Sequence, residues 1–390
     1  MSKNSIPKIR FNNFKAFWVE KKIADIVKIS AGGDVDKVRL KKSGKYPVIA
    51  NALTNKGIVG FYDDYKVKAP AVTVTGRGDV GYAVARHENF TPIVRLLTLQ
   101  SENIDVDYLE NQINSMRILN ESTGVPQLTA PQLGKYKVYH PEIEEQSAIG
   151  NLFRTLDDLL ASYKDNLANY QALKATMLSK MFPKAGQRVP EIRLDGFEGE
   201  WEVIQLSDIC QKVTEKNKDN NFNETFTNSA EFGIISQRDF FEKDISNEKS
   251  LNAYYVVRNN DFVYNPRISN YAPVGPVKRN KLGRTGVMSP LYFVFRITNS
   301  NIDLNFLETF FNTNTWHKFM KLNGDSGARA DRFAIKDSTF LTMPIAFPSL
   351  PEQQAIGAYF SNLDNLINSY QKKISQLETL KKKLLQDMFI

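Results

Sequence analysis

Nearly every segment of this chain occurs twice. Pro7-x-Ile9-Arg10-Phe11-x-x-Phe14-x-x-x-Trp18-x-x-x-x-Ile23-x-Asp25-Ile26 returns without a gap as Pro190-x-Ile192-Arg193-Leu194-x-x-Phe197-x-x-x-Trp201-x-x-x-x-Leu206-x-Asp208-Ile209. A longer pair begins Glu145-Gln146-x-Ala148-Ile149-Gly150-x-x-Phe153-x-x-Leu156-Asp157 and ends Met181-Phe182. Its second copy begins Glu352-Gln353-x-Ala355-Ile356-Gly357-x-x-Phe360-x-x-Leu363-Asp364 and ends Met388-Phe389. Two copies of one plan in one chain predict a pseudo-twofold object, suited to a pseudo-twofold target.

The order is variable segment, long helix, variable segment, long helix. The domains expected are 1–143, a helix over 144–182, a linker and second domain over 183–348, and a helix over 349–390. The variable segments alternate β-branched and aromatic residues between Gly, Pro and Asn, which predicts short strands. The candidates in the first are Tyr46–Ala50, Ile58–Tyr62, Ala71–Thr75, Gly81–Ala85 and Ile93–Leu99; in the second, Gly233–Ser236, Tyr254–Val257, Asp261–Tyr264 and Leu291–Ile297. Each segment also predicts a helix, near Asp107–Leu119 and Asn305–Leu322, with Asp105 and Asp303 as N-caps. The fold class expected is α+β: two similar domains separated by two long antiparallel coiled-coil helices.

Those long helices carry the clearest periodicity. Ile149, Phe153, Leu156, Leu160, Tyr163, Leu167 and Tyr170 fall at alternating four- and three-residue steps. Ile356, Phe360, Leu363, Ile367, Tyr370, Ile374 and Leu377 repeat them. Such a seam is that of a coiled coil, and each helix is the other's best partner. About 38 residues at about 1.5 Å rise give a rod of roughly 57 Å. Lys174 and Lys381 occupy the same heptad step. Two readings of them stand: a matched register device, or stems that snorkel to solvent. Lys372-Lys373 and Lys381-Lys382-Lys383 are read as a solvated face, or as a cationic track for phosphates.

The chemistry of catalysis is sparse. The lone Cys210 can form no intrachain disulfide, and His87, His140 and His317 show no ligand spacing. Cys210, placed on a helical run after Trp201, is expected to fill a core gap. Thr75-Gly76-Arg77-Gly78 lacks the Gly-Lys-Ser/Thr ending of a phosphate loop. Asn265-Pro266-Arg267 lacks the second proline and the aromatic residue of an amino-methyltransferase motif. Glu20-Lys21-Lys22 lacks the preceding aspartate of a nuclease site. No apolar run reaches about 18 residues, and no apolar segment follows the first residues, so a cytoplasmic, metal-free protein is expected.

A net charge of +8 favours an anionic partner, nucleic acid first. Loops in both variable segments carry base-reading chemistry. In the first these are Asn51, Thr54, Asn55, Lys56 and Arg77. In the second they are Gln237, Arg238, Asn265, Arg267, Ser269, Asn270 and Tyr271. Arg77 and Arg267 follow corresponding strands. Arg pairs bidentately with guanine, and Asn or Gln with adenine. A late polar loop recurs as Ser122–Gln127 and as Ser326–Arg332, the second bringing Arg329 and Arg332. The alternative for each residue is a solvated loop polar.

Taken together, these motifs are similar to those of the specificity (S) subunit of type I restriction-modification enzymes, over essentially the whole chain. The resemblance rests on the two Pro-x-Ile-Arg…Trp motifs and the two Glu-Gln-x-Ala-Ile-Gly helices ending in Met-Phe, in order around two divergent segments. It implies target recognition domains that each read one half of a split, asymmetric DNA target. It implies helices that set the spacing and dock two modification (M) subunits, which bind S-adenosylmethionine and methylate adenine. Motor-nuclease (R) subunits, using ATP and Mg, complete the complex, and the S subunit itself is non-catalytic. Two other readings are a structural coiled-coil protein, and a self-contained methyltransferase that would bind S-adenosylmethionine alone.

Overall fold

Two packing units divide the chain along its duplication. Unit 1 is Met1–Asn166 with Tyr370–Ile390, and unit 2 is Leu167–Ser369. The computed structural model describes residues 6–116, 118, 127–241, 248–325 and 331–390.

Unit 1 runs β1 (Val19–Lys22), α1 (Ile23–Ile26), β2 (Lys28–Ala31), β3 (Tyr46–Ile49), β4 (Ile58–Tyr62), β5 (Ala71–Val74), β6 (Ala83–Arg86), β7 (Thr91–Pro92), β8 (Leu97–Gln100), α2 (Val106–Ser115), α3 (Ala130–Lys135), β9 (Lys137–His140) and the start of α4 (Ile143–Lys180). An antiparallel sheet has the order β2-β8-β5-β6, a smaller one the order β4-β3-β7, and β1 pairs with β9. β5 reads Ala-Val-Thr-Val and is buried along its whole length, as a central strand covered on both faces must be. Leu109 and Ile113 of α2 share its core with Val72, Val74 and Ala83.

Unit 2 repeats the plan. It runs β10 (Glu202–Gln205), β11 (Cys210–Lys212), β12 (Phe226–Ser229), β13 (Gly233–Ser236), α5 (Gln237–Phe241), β14 (Tyr255–Val257), β15 (Phe262–Tyr264), β16 (Val277–Arg279), β17 (Gly286–Met288), β18 (Phe293–Ile297), α6 (Leu304–Phe311), α7 (His317–Asn323), α8 (Asp337–Leu341), β19 (Pro344–Phe347) and the start of α9 (Leu350–Asp387). Its main sheet, β11-β18-β15-β16, matches β2-β8-β5-β6 strand for strand, and β10 pairs with β19 as β1 does with β9.

Four expectations are corrected. The helix expected to reach Leu119 ends at Ser115, because the Asn114 side chain bonds both backbone groups of Ala83 and Met116 is extended. The helix expected over Asn305–Leu322 is two, α6 and α7. Between them Thr313 Oγ1 donates to Phe310 O and Trp316 Nε1 to Phe311 O, local bonds that compete with the helical ladder. The strand expected over Ile93–Leu99 begins only at Leu97, since Val94 and Arg95 adopt left-handed φ values of 50° and 61°. Cys210 lies on β11 rather than on a helix. It is buried, and burial pushes its thiol up to about 12.

The repeated motifs explain how each unit holds its helices. In unit 1 Arg10 grips Glu145 bidentately at 2.6 and 2.7 Å, and Trp18 Nε1 donates to the same carboxylate at 3.2 Å. In unit 2 Arg193 grips Glu352 at 2.8 and 2.7 Å. The neighbouring glutamines, Gln146 and Gln353, accept from the backbone N–H of the N-caps Asp105 and Asp303 at 3.3 and 2.9 Å. Asp105 and Asp303 in turn accept from Tyr108 N and Phe306 N. The glycines Gly150 and Gly357 pass so close that a Cβ would stand 2.3 and 2.7 Å from those aspartate oxygens.

Within unit 1, α4 and α9 run antiparallel: Asp157 pairs with Lys381, and Lys164 with Glu378 at 2.7 Å. Within unit 2, Lys174 pairs with Asp364. Lys174 and Lys381 are therefore neither core residues nor free stems; each is half-buried against a carboxylate. Ile149 and Phe153 do more than form a helix seam. They join Trp18, Tyr108, Met388 and Phe389 in one cluster, and Ile356 and Phe360 likewise join Met181, Phe182, Trp201 and Phe306. Leu156, Leu160, Leu363 and Ile367 are buried as the seam requires. Tyr163 and Tyr370 meet edge to face at 5.5 Å, with Lys373 Nζ 5.6 and 5.8 Å from the two rings. Lys381 is thus engaged by Asp157, while Lys373 stays exposed beside the two rings.

Candidate nucleic-acid interface

In unit 1 two of the expected reading residues, Asn51 and Arg77, meet at the hairpin tip that joins β5 to β6, while Thr54, Asn55 and Lys56 are tied to Arg86 at the other end of that hairpin. Arg77 sits exposed at that tip, bridged to Gln127. Asn51 is the knot that gathers the surrounding segments. Its Oδ1 accepts from Gly76 N at 2.7 Å, and its Nδ2 donates to Val94 O at 2.5 Å. Asn51 therefore holds the loop, with its amide spent on backbone. Thr54, Asn55 and Lys56 form an exposed 3-10 turn between β3 and β4. Asn55 and Lys56 both have φ near 49°. Arg86, buried under this turn, donates to Lys56 O at 2.7 Å and to Thr73 Oγ1 at 2.9 Å. Burial lowers its guanidinium to about 10.

Sequence reasoning missed Arg95. It is exposed on the turn that Asn51 ties to the Arg77 loop. The Gly32 and Gly33 carbonyls accept from Arg95 N and Val94 N and hold the turn left-handed. A β-branched residue such as Val94 rarely adopts that conformation, and such strain concentrates at working surfaces. The only sequence signal was Gly32-Gly33, far upstream. Arg77 and Arg95 together give this surface two exposed cations.

Unit 2 arranges its residues around a cleft of about 610 Å³. Gln237, Asn265, Arg267, Ser269, Tyr271 and Arg332 line it, joined by Asn228 and Tyr292. Arg238 and Asn270 are exposed but are not among its lining, and Arg329 lies outside the described residues, as do Ser122–Pro126. Arg267 bridges to Arg332 as Arg77 does to Gln127, and its guanidinium stands 3.7 Å from Asp331. Asn265, like Asn51, is committed to the frame: Nδ2 donates to Asn228 O and Oδ1 accepts from Arg267 N. Ser269 Oγ accepts from Ala272 N and closes a turn that leaves Tyr271 82% exposed. Asn228 was not singled out by sequence, because nothing there marks a strand asparagine as part of a cleft.

Among the described residues no cluster of three or more His, Cys, Asp or Glu side chains is placed to hold a metal ion. No helix there is long and apolar enough to cross a membrane.

Residues 16–169 and 198–379 match the family described as the type I restriction modification DNA specificity domain. The specificity subunit of the type I restriction enzyme MjaVIII of Methanocaldococcus jannaschii is 23% identical over 276 residues, 68% of this chain and 64% of its own length. A Mycoplasma pneumoniae protein named a type I specificity subunit is 25% identical over 198 residues, 49% of this chain and 52% of its own. The matches thus span about half to two thirds of these curated relatives. In fold, the chain is similar to the crystal structure of the type I restriction-modification system S subunit from M. genitalium. The TM-score is 0.64 at 15% identity, over 99% of both chains.

Proposed function

The chain belongs to the type I restriction-modification DNA specificity family, and on that premise we propose that it is the sequence-reading subunit of such a complex. Each unit reads one half of a bipartite, asymmetric DNA target. Helices α4 and α9 fix the unread spacing and dock the methyltransferase (M) subunits. Catalysis belongs to the partners: S-adenosylmethionine binds in the M subunits, and ATP and Mg in the motor-nuclease (R) subunits.

One observation carries this reading. The frame of both units is the same, down to the Arg–Glu grip, the glutamine at the cap and the glycine beneath it, while the side chains around the two equivalent arginines differ. Unit 1 presents a hairpin tip with Arg77 and Arg95, and unit 2 a cleft edged by Arg267 and Arg332. A constant frame with two unlike reading surfaces suits a target of two unlike halves. Arginines supply both phosphate attraction and guanine recognition. The test is methylome sequencing of DNA from cells making this chain with its neighbouring modification subunit. The expected result is a split motif, two short half-sites around a fixed gap with one methyladenine in each. An assembled complex that adds no such methylation overturns the reading.

A further inference from the structure

The tip that joins β15 to β16 in unit 2 is twelve residues long (265–276), against eight (75–82) for the equivalent tip that joins β5 to β6 in unit 1. The flanking strands correspond, and Arg267 and Arg77 each stand three residues beyond their strand. The extra length is a compact turn. Ser269 and Ala272 bond each other's backbone in both directions at 3.1 Å, and Ser269 Oγ accepts from Ala272 N at 3.2 Å. Asn270 and Tyr271 form its apex, and Tyr271 is 82% exposed. The base of the turn is clamped on both flanks. On one side Phe333 N donates to Pro266 O and Ile268 N to Asp331 O; on the other the buried Tyr264 Oη donates to Val274 O at 2.9 Å. The result is one aromatic ring held in a fixed position in water.

The surroundings decide what such a ring meets. Tyr271 borders the cleft that Arg267 and Arg332 also line. Leu291, 59% exposed on a turn that Tyr292 N closes onto Ser289 O, borders it too. Cations beside exposed apolar side chains on bonded turns suit a nucleic acid, whose phosphates meet the first and whose bases meet the second. A phenol ring offers a base edge one hydroxyl and little else, whereas its flat faces match the flat faces of bases. In a duplex those faces are hidden in the stack and open only when a step is parted, which an inserted side chain does. A ring fixed beforehand loses little freedom on entering.

Resting on the DNA-reading function proposed above, we propose that Tyr271 is a wedge: its ring enters the duplex between two adjacent base pairs at the unit 2 half-site, parts that step and stacks on a base, while Arg267 meets a phosphate beside the opened step. Unit 2 thereby recognises how readily a step opens, besides the hydrogen-bonding pattern of its bases. Pyrimidine–purine steps, which unstack most easily, are the class of sequence it favours. The shorter tip of unit 1 has no counterpart of this turn.

The experiment uses the full-length chain assembled with its modification subunits, and duplexes of the target identified by methylome sequencing. Each purine of the unit 2 half-site and its flanks, on either strand, is replaced in turn by a fluorescent analogue that stacking quenches: 2-aminopurine for adenine, 6-methylisoxanthopterin for guanine. The methylated adenine is left natural. A rise in fluorescence is expected at the adjoining base pairs of one step. In Tyr271→Ala, read at saturating protein, that rise is lost, and the dissociation constant increases about tenfold, as for the loss of one stacked base. Tyr271→Phe keeps the rise and the affinity, since the ring and not its hydroxyl acts. Specific binding without an unstacked step, a rise indifferent to Tyr271→Ala, or a Tyr271→Phe variant that fails as Tyr271→Ala does, overturns this proposal and leaves the wider function standing. Absence of any split recognised sequence overturns the wider function instead.

Discussion

Glu110 on α2 is a carboxyl in an unfavourable place. Burial raises it from the usual carboxylate range to about 7, and the nearby Asp157 carboxylate pushes it the same way; an N–H from Ala85 and the Lys381 ammonium only partly offset this. In unit 2 the corresponding Glu308 meets Arg279 at 2.9 Å. A raised carboxyl favours the folded state at low pH, and that contribution is lost as pH rises from about 4.5 towards 7. Glu110→Gln is therefore expected to stabilise the protein by up to about 3 kcal/mol at pH 8, since a tenfold change in proton affinity corresponds to about 1.4 kcal/mol. The gain should shrink below pH 7 and disappear near pH 4.5, as thermal melts of the two proteins across that range would register. Other single residues show why a site was hard to read in sequence. Asn51 and Asn265 look like base readers, yet their amides are spent on carbonyls and N–H groups of distant segments. Asn228 looks like an ordinary strand residue and turns out to carry an unused acceptor.

At the scale of elements, the docking of α4 on α2 and of α9 on α6 depends on a missing side chain. Gly150→Ala would put a methyl 2.3 Å from Asp105 Oδ1 and 2.9 Å from Tyr108 N, which is backbone and cannot swing away. The cap or the helix must shift, and a loss of roughly 1–3 kcal/mol follows, as for other overpacked contacts. Gly357→Ala, at 2.7 Å from Asp303 Oδ1, is expected to cost less. Denaturant titration of both variants would rank them, and equal midpoints would count against this account of the glycines. The strands were legible wherever an apolar run met a turn residue, as in β4 and β13, which match their expected bounds residue for residue. The failures came where another segment dictated the backbone. Gly32-Gly33 bends Val94–Arg95 out of β8, and the Thr313 hydroxyl breaks what periodicity alone would continue as one helix.

For the molecule as a whole, the proposed function makes helix length the measure of the unread DNA gap. Seven residues inserted between Asp157 and Lys174, and seven between Asp364 and Lys381, preserve the heptad and leave Asp157–Lys381 and Lys174–Asp364 each paired within its own unit. Each helix grows by about 10 Å. The recognised gap should lengthen by about three base pairs at about 3.4 Å per step, with both half-sites unchanged in the methylome. An unaltered gap would remove the helices from that role.

The sequence by itself determined the duplication, the α+β class and the two long helices. These follow from periodicity and from motifs that repeat, which are properties of the chain read in order. Tertiary structure alone decided that Arg10 meets Glu145, that Lys174 and Lys381 answer to aspartates, and that Asn228 and Gln237 share a cleft. The physical reason is that a hydrogen bond or an ion pair forms between groups that folding brings together. Which donors and acceptors remain unused is known only once every other one has found its partner.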